Sequence, residues 1–443
     1  ESERMIITMN KTRTRFAPSP TGYMHIGNLR TALFEFLIAK HEGGDFLLRI
    51  EDTDQERKVE GAVDVIYKTL KECGLNWDEG PDIGGDFGPY VQSERLPMYK
   101  GYAEDLIKLG GAHYCFCSEE EIEAQRKEAE SLGISFKFND PCKHLSAEEV
   151  QAKLDAGEPY VIRQTIKDVG ETYFDDEVYG RIEVDGDVLD EQILIKSDGY
   201  PTYNFANIID DHQMQISHVV RGNEYLSSTP KYNLIYDAYG WQRPTYVHVP
   251  PVMKDEHHKL SKRNGDASFQ DLVAKGYLPD AIMNYIALLG WAPETEQEIY
   301  TLDELIKVFN IHRISKSPAI FDIDKLTWMN GVYLRNMDEE TYYETVRPYL
   351  EKAVHGPYNL KEIAKIIQPR IDILNQIEES VDFFDTLVDY DLAMYRHKKM
   401  KTTPEVALKA LKASKQTLEA FDQWDSMDAL HECLLALPKK LEM

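Results

Sequence analysis

The segment that decides the fold reads Arg15-Phe-Ala-Pro-Ser-Pro-Thr-Gly-Tyr-Met-His25-Ile-Gly27-Asn28. A short strand ends at Ala17, a loop of proline and glycine follows, and apolar residues then recur at helical spacing from Leu29. A second strand spans Phe46 to Ile50, so the pattern predicts a parallel βαβ unit of a nucleotide-binding α/β sheet. The helix begins beside the loop, where its backbone N–H groups face an anion.

Length and composition exclude several classes of protein. The chain has 443 residues, of which 42% are hydrophobic and 29% charged, so about three domains are expected and a disordered or collagen-like chain is excluded. No apolar run reaches the roughly 18 residues that a membrane span needs. The five cysteines are an odd number that does not fit a disulfide framework, and no secretory signal is recognisable. A cytoplasmic protein is predicted.

The distribution of charge matters more than its sum. A net charge of −27 would repel nucleic acid if it were spread evenly. Residues 391–416, however, carry seven basic residues against two acids, with Tyr395 and His397 among them. Such a cluster can bind phosphates or stack on bases of a nucleic acid. An exposed basic helix face without a binding role is an equally good interpretation.

A second basic segment, Lys259-Leu-Ser-Lys262-Arg263, lies far along the chain and is followed by the turn residues Asn264-Gly265. Two lysines with a serine between them suit a triphosphate whose charge grows as pyrophosphate departs. Alone, the segment reads better as a solvated charge run. Together with His25-Ile-Gly27-Asn28, it resembles the paired HIGH and KMSKS signatures of class I aminoacyl-tRNA synthetases.

Further blocks narrow the resemblance to the bacterial glutamyl-tRNA synthetase family. They are Pro18-Ser-Pro-Thr-Gly22, Arg49-Ile-Glu-Asp-Thr-Asp54, Ser197-Asp-Gly-Tyr-Pro-Thr-Tyr-Asn-Phe-Ala-Asn207, and His218-Val-Val-Arg-Gly-Asn-Glu224. Leu288-Leu-Gly-Trp291 and Ser317-Pro-Ala-Ile-Phe-Asp322 extend the similarity into the helical remainder. The chain therefore resembles this family over nearly its whole length.

The resemblance implies an α/β fold: a class I Rossmann-type parallel-sheet catalytic domain with an inserted α+β acceptor-binding domain, followed by an all-helical anticodon-binding region. The catalytic domain is expected in two halves, 1–110 and 198–257, around an insertion at 111–197. A stem-contact region with the KLSKR loop is expected at 258–338. The anticodon-binding domain is expected at 339–443, ending before the family's second helical anticodon domain is complete.

A glutamate side chain needs cationic donors. Arg15, Arg221 and the Tyr203 hydroxyl lie at ends of elements that a parallel sheet brings to one edge. Without the resemblance, structural ion pairs and a core aromatic ring are the better readings of these residues. A glutamine amide would leave a desolvated guanidinium unpaired, so this set favours the acid.

The resemblance also implies which residues bind the α-ammonium and α-carboxylate groups of the amino-acid substrate. Glu51 and Ser19 are expected to hold the α-ammonium group, and Asn207 and Arg57 the α-carboxylate. The other reading of Glu51 and the acids that follow it is a magnesium site or a solvated strand end.

The reaction with ATP requires that the charge of the phosphates be neutralised, and it requires no covalent nucleophile from the protein. Positioning of the substrates and charge neutralisation are therefore expected to supply most of the rate enhancement. We expect the catalytic residues to be His25, Lys259 and Lys262. The ATP-binding residues implied by the resemblance are His25, Gly27, Asn28, Glu224 and Lys262. Mg²⁺ is expected to accompany ATP, coordinated by phosphate oxygens and water.

Cys115-x-Cys117 and Cys142-x-His144 are separated by 24 residues. Three thiolates and one imidazole form a closed tetrahedral set that suits structural zinc. The alternative is a group of buried free thiols. Some members of the family resemble this pattern.

The resemblance implies a glutamate–tRNA ligase. Such an enzyme activates L-glutamate with ATP, transfers it to the 3′-terminal ribose of tRNA(Glu), and releases AMP and pyrophosphate; a monomer is expected. A glutaminyl-tRNA synthetase is disfavoured by Ser19 and Thr21, and the long helical C-terminus disfavours a short tRNA-modifying glutamyl transferase. A non-catalytic tRNA-binding or regulatory paralogue is the alternative of another class, although His25 and Lys262 are intact.

Overall fold

The computed structural model describes residues 11–53, 59–167, 170–261, 268–387 and 389–440. It begins with β1 (Arg13–Phe16), α1 (Ile26–His41) and β2 (Asp45–Leu48), and the two strands pair in parallel. Helix α1 is buried along most of its length because it covers one face of this sheet. The predicted βαβ unit is confirmed.

The chain then alternates between helices and short strands. In order, these are α2 (Ala62–Glu72), α3 (Leu96–Lys108), β3 (Ala112–Cys115), α4 (Glu119–Leu132), α5 (Ala147–Asp155), β4 (Val161–Gln164), β5 (Glu171–Asp176), β6 (Gly180–Asp185), β7 (Ile193–Ile195), α6 (Tyr203–Gln213), β8 (His218–Gly222), α7 (Thr229–Tyr239), β9 (Thr245–Val249) and β10 (Val252–Met253). Helix α6 is followed by β8 and β9, which carry Arg221 and His248.

The central sheet brings the carboxyl ends of its strands to one edge. Strands β8 and β9 pair in parallel, from His218 opposite Thr245 to Gly222 opposite Val249. The Ser217 N–H, just before β8, donates to the Arg13 carbonyl at 2.9 Å and places β8 beside β1. Ligands of parallel α/β sheets bind at this edge.

The inserted region contributes to two different sheets. Strands β3, β4 and β7 form a small antiparallel sheet of their own. The β5–β6 hairpin instead joins the central sheet, where Asp176 pairs with Tyr246 of β9. Residues 171–185, expected inside a separate insertion, therefore extend the catalytic sheet. The Asp176 carboxylate reinforces this contact by accepting the His248 N–H at 3.1 Å.

From Phe269 onward, the regular elements of the described residues are helices and one short strand. The elements are α8 (Phe269–Ala274), α9 (Pro279–Ala287), α10 (Leu302–Val308), β11 (Ala319–Ile320), α11 (Ile323–Asn336), α12 (Glu339–Ala353), α13 (Leu360–Ile367), α14 (Ile377–Val381), α15 (Pro404–Glu419), α16 (Met427–Leu435) and α17 (Leu437–Lys440). Helices α12 to α14 share an apolar core, whereas α15 and α16 bury no residue fully. Within the described ranges, no helix is both long and apolar enough to cross a membrane.

Candidate active site

At the start of α1, the first predicted signature motif meets the described part of the second, residues 259–261. His25 is the N-cap residue, and its Nδ1 accepts the Gly27 N–H at 3.0 Å. An accepting Nδ1 leaves the proton on Nε2, which lies 3.1 Å from the carbonyl oxygen of Leu260 in the second basic segment. The Phe269 N–H beyond that segment donates to Met24 O at 3.0 Å. Segments more than 230 residues apart in the sequence are thus brought together at one helix end.

The other residues predicted for ATP binding or catalysis are partly on the surface. Asn28 and Glu224, predicted to bind ATP, and Lys259, predicted to be catalytic, are exposed. A side chain at position 27 would place its Cβ 3.2 Å from His25 Nδ1, so glycine keeps the capping geometry open. Lys262 lies outside the described residues.

Arg15 is committed to carboxylates of the protein. Its Nε and Nη2 donate to the two oxygens of Asp211 at 2.8 and 3.1 Å, and its Nη1 donates to Glu35 Oε1 at 3.1 Å. All three side chains are buried. This is the structural ion pair that the sequence left open as the alternative reading.

Arg49 and Glu51 extend the same buried network. Arg49 donates to Asp211 Oδ1 at 2.8 Å and to Glu51 Oε1 at 3.0 Å. Burial raises the pKa of Glu51, and the charge of Arg49 opposes that rise. The neighbouring Asp52 accepts hydrogen bonds from the N–H and hydroxyl of Ser93 at 2.9 and 2.8 Å. Asp52 is therefore tied to the 3₁₀ turn Gln92–Arg95.

Arg221, at the end of β8, is paired differently. It is only 7% exposed, yet no carboxylate of the described residues forms an ion pair with it. Its Nε donates to His248 Nε2 at 3.2 Å, and its Nη2 donates to Thr229 Oγ1 at 2.8 Å. Three rings surround its Cζ, those of Tyr232 at 4.7 Å, Tyr225 at 5.2 Å and Tyr246 at 5.6 Å. A buried guanidinium without a protein anion is poised to receive an anionic ligand.

Tyr203 connects the two arginine environments. Its ring centroid lies 5.7 Å from that of Tyr225, which flanks Arg221. The side chain is 38% exposed, but burial around its hydroxyl, followed by the charge of Glu51, raises its pKa well above the ordinary value. The charges of Arg221 and Arg15 act on the same pKa in the opposite direction. Tyr203 therefore packs beside Tyr225, which flanks Arg221, whereas Arg15 remains bonded to Asp211 and Glu35.

The residues predicted to bind the α-ammonium and α-carboxylate groups of the substrate differ in their exposure. Asn207 is 2% exposed, and among the described residues its Nδ2 has no hydrogen-bond partner. A buried amide donor left unpaired costs free energy unless a ligand satisfies it. Ser19 is exposed on the loop before α1. Arg57 lies outside the described residues.

A separate cluster of thiols lies in the inserted region. The side chains of Cys115, Cys117, Cys142 and Asp140 bring one ligand atom each within 4.8 Å of one another. Zinc–sulfur bonds of about 2.3 Å in a tetrahedron hold the sulfurs about 3.8 Å apart. Cys117 Sγ and Cys142 Sγ are 3.6 Å apart, so three thiols and one carboxylate fit a structural zinc ion.

The fourth corner of this cluster differs from the prediction. His144 is exposed and does not belong to the group, whereas Asp140 does. Asp140 begins the short 3₁₀ turn Pro141–His144, and its Oδ1 accepts the Cys142 N–H at 2.9 Å. That bond turns the carboxylate toward the thiols. Burial would raise the pKa of Asp140, but hydrogen bonds from His113, Cys115 and Cys142 outweigh it and lower the pKa.

Several residues of the site were not found from the sequence. They are Glu35, Asp140, Asp176, Asp211 and His248. His248 did leave a signal, because it is a polar residue inside the otherwise apolar strand Tyr246–Val249. Asp211 lies one helical turn after Asn207 and on the same face of α6.

A cavity of about 790 Å³ lies elsewhere, at the C-terminal end of α1. Thr12 and His218, which line it, precede or begin the strands β1 and β8. The cavity therefore lies at the amino edge of the sheet, opposite the groups described above.

The parallel sheet, the capped helix start beside a second basic segment, and the unpaired buried arginine are features of a class I synthetase catalytic domain. The family model "tRNA synthetases class I (E and Q), catalytic domain" matches residues 11–328, and a model for an anticodon binding domain matches residues 341–443. The chain belongs to the class I tRNA synthetase family for glutamate and glutamine.

Individual relatives cover almost the whole chain. A glutamate–tRNA ligase of Clostridium botulinum strain Hall is 58% identical over 434 residues, which is 98% of this chain and 89% of the relative. The glutamate–tRNA ligase of Clostridium tetani is 57% identical over the same shares. A crystal structure of a glutamate tRNA ligase from Elizabethkingia meningosepticum in complex with its amino acid has a TM-score of 0.88 at 34% identity, covering 98% of this chain and 91% of that one.

These matches confirm three predictions: the resemblance to glutamyl-tRNA synthetases, the α/β class with a helical C-terminal region, and an aminoacyl-tRNA ligase activity. The membership of this family implies ATP as a substrate.

Proposed function

We propose that this chain joins L-glutamate to tRNA(Glu). It forms glutamyl-adenylate from glutamate and ATP, transfers the glutamyl group to the 3′-terminal ribose, and releases pyrophosphate and AMP. One observation carries the choice of amino acid: Arg221 is buried and makes no ion pair with a carboxylate of the described residues. The names of the matched relatives agree with this choice.

The γ-carboxylate of glutamate supplies the anion that Arg221 lacks. A charged hydrogen bond in such a place is worth about 1.5–3 kcal/mol, and an unpaired buried charge costs more. Glutamine brings a neutral amide and leaves the guanidinium uncompensated, so the site favours the acid. Tyr203 lies beside this position and adds a hydroxyl donor.

Arg15 has a different part in this proposal. Because Asp211 and Glu35 already occupy its guanidinium and neutralise its charge, its direct contact with glutamate stays a prediction. Glu51 accepts the α-ammonium with Ser19, and Asn207 donates its unpaired Nδ2 to the α-carboxylate. Arg57 is proposed as the second partner of that carboxylate.

The α-carboxylate then attacks the α-phosphate of ATP, and no side chain forms a covalent intermediate. The N-terminus of α1 receives the phosphates, with Gly27, Asn28 and Glu224 around the nucleotide. Lys259 and Lys262, with His25, neutralise the charge that builds on the departing pyrophosphate. Mg²⁺ travels with ATP, held by phosphate oxygens and water.

The remaining parts of the chain serve tRNA binding in this proposal. The insertion at 111–197 contacts the acceptor end, residues 258–338 contact the stem, and residues 339–443 face the anticodon. A structural zinc ion is held by Cys115, Cys117 and Cys142, with Asp140 as fourth ligand. A zinc ion there cross-links the loops of the insertion and takes no part in the reaction. A cytoplasmic monomer stays a prediction.

Pyrophosphate exchange tests this function. The enzyme is offered glutamate or glutamine, each with and without tRNA(Glu), and the label that returns to ATP is measured. Exchange with glutamate but not with glutamine supports the proposal. Exchange with glutamine alone identifies a glutaminyl-tRNA synthetase, and exchange with neither amino acid, even with tRNA present, indicates the non-catalytic tRNA-binding protein.

A further inference from the structure

A chain of buried hydrogen bonds lies behind Arg221. The Asp176 carboxylate is 2.6 Å from His248 Nδ1, and His248 Nε2 is 3.2 Å from Arg221 Nε. Thr229 Oγ1 accepts from Arg221 Nη2 at 2.8 Å. None of the four residues is more than 7% exposed. They come from strands β5, β8 and β9 and from the first turn of α7.

The geometry fixes the protonation state of the imidazole. An ionised Asp176 carboxylate accepts hydrogen bonds only, so His248 Nδ1 must carry the proton. A guanidinium donates only, so His248 Nε2 must present its lone pair to Arg221. The imidazole is therefore neutral and in a single tautomer. Burial lowers its pKa, which is consistent with this state.

Asp176 is itself held firmly. Besides the imidazole, it accepts the N–H groups of Val178 at 3.0 Å, Tyr179 at 2.8 Å and His248 at 3.1 Å. The carboxylate thus locks the turn after β5 and the ring of His248 at the same time. A rigid support of this kind orients the group that it holds.

The same bonds decide which side of Arg221 remains available. The N–H of Nε and one N–H of Nη2 point to the same side of a guanidinium, and we call this pair of donors the side fork. His248 and Thr229 accept from the two donors of this fork. Nη1 makes no hydrogen bond to any part of the chain that the structure describes. The end fork, formed by Nη1 and the second hydrogen of Nη2, remains to receive a carboxylate in bidentate fashion.

A neutral support also preserves the positive charge. Arg15 and Arg49 are held by carboxylates, which cancel their charge. His248 holds Arg221 through a neutral acceptor that does not cancel its charge, and the Asp176 carboxylate stays one ring farther away.

We infer that Asp176 and His248 are positioning residues for amino-acid recognition: they hold Arg221 with its end fork toward the substrate side chain. The inference rests on the proposed function, since it assigns the γ-carboxylate of glutamate to that fork. Neither residue touches the substrate.

Two substitutions of His248 separate the two ring nitrogens. Gln places an amide oxygen near the position of Nε2, whereas Asn keeps a donor near Nδ1 and leaves Arg221 Nε without an acceptor. We expect His248→Asn to raise the KM for glutamate about tenfold or more and His248→Gln to raise it less than about threefold. The KM for ATP should change less than about twofold in both. His218→Asn is the control, because it makes the same replacement at the start of β8, where the ring contacts Ser217 at the opposite edge of the sheet.

The assay is glutamate-dependent pyrophosphate exchange with tRNA present, with thermal melting of each variant. Equal KM values for glutamate in the Asn and Gln variants, or a parallel rise in the KM for ATP, would overturn the inference. If the His248 variants do not fold, Thr229→Val decides, since it removes the second acceptor of the side fork. A normal KM for glutamate in Thr229→Val then overturns the inference. Absence of exchange in the unmodified enzyme would instead refute the proposed function.

Discussion

At the scale of single residues, the site depends on which guanidinium lacks a carboxylate. Arg15 and Arg221 each lie one residue before the end of a strand, and both were predicted to bind the substrate side chain. The first is neutralised by Asp211 and Glu35, and the second is held by neutral groups. Equivalent positions in the sequence therefore have different electrostatic roles.

Arg221→Gln tests the role of this residue directly. Removing one partner of a buried charged pair costs about 2–5 kcal/mol, so the KM for glutamate should rise at least about thirtyfold. Preference for glutamate over glutamine should fall as well. Arg243→Gln, which breaks an exposed pair with Asp237, is the control and should leave both values unchanged. An unchanged KM for glutamate in Arg221→Gln would remove the basis of the proposed specificity.

His212 gives a prediction for acid stability. Its ring stacks on Trp241 with centroids 3.6 Å apart, and burial lowers its pKa from 6.5 to about 4. Because the folded-state pKa lies below the unfolded value, the stabilisation is complete above pH 6.5 and is lost as the pH falls toward 4. His212→Phe keeps the stack but cannot titrate. Its melting temperature should therefore fall less steeply than that of the wild type over this range; identical slopes would contradict the assignment.

The sequence predicted local structure well at these positions but not pairing. The motif around His25 predicted the strand, loop and helix, because turn residues and helical spacing are local signals. It could not show that Asp211, 196 residues after Arg15, would neutralise that arginine. Asp176 and His248 are 72 residues apart, and only the three-dimensional fold brings them together.

At the scale of elements, short turns decide which side chains converge. The 3₁₀ turn Pro141–His144 illustrates this, since its Cys142 N–H holds the Asp140 carboxylate inward while His144 remains exposed. The sequence spacing of the thiols correctly brought three cysteines together. The fourth ligand depended on the direction of one turn, which spacing alone does not give.

Zinc retention distinguishes the two candidates for the fourth ligand. From the observed geometry, Asp140→Asn should lose zinc to a chelator faster than the wild type, and His144→Ala should not. Metal content by elemental analysis and the melting temperature provide the readout. Cys142→Ser is the positive control, since it removes a thiolate common to both ligand sets. Faster zinc loss from His144→Ala than from Asp140→Asn would instead support the ligand set predicted from the sequence, with His144 as the fourth ligand.

At the scale of the whole molecule, a protein of net charge −27 must attract a polyanion locally. The seven basic residues between 391 and 416 are all exposed in the structure. Lys409, Lys412 and Lys415 lie on α15, which buries no residue fully, whereas the other four basic residues precede this helix. The expected exposed basic helix face is therefore a helix face only in part, and its contact with tRNA is proposed.

A triple replacement tests that contact. Changing Lys398, Lys399 and Lys401 to Gln should weaken tRNA binding and lower the slope of log affinity against log salt by about 1 for each lost phosphate contact. Filter binding at several salt concentrations measures both values. The control is the triple replacement of Lys68, Lys100 and Lys108, which pair with acids elsewhere on the surface. Equal effects of the two triples would show that only total charge matters.

The hairpin formed by β5 and β6 has a consequence for protein engineering. Asp176 lies on this hairpin, between stretches of chain that form the small separate sheet, yet it supports the arginine of the catalytic sheet. A chimera that exchanges the whole insertion with a distant homologue would also exchange this support. Module swapping intended to alter which tRNA is charged would therefore perturb amino-acid selectivity, unless the crossover points leave residues 171–185 with their native host.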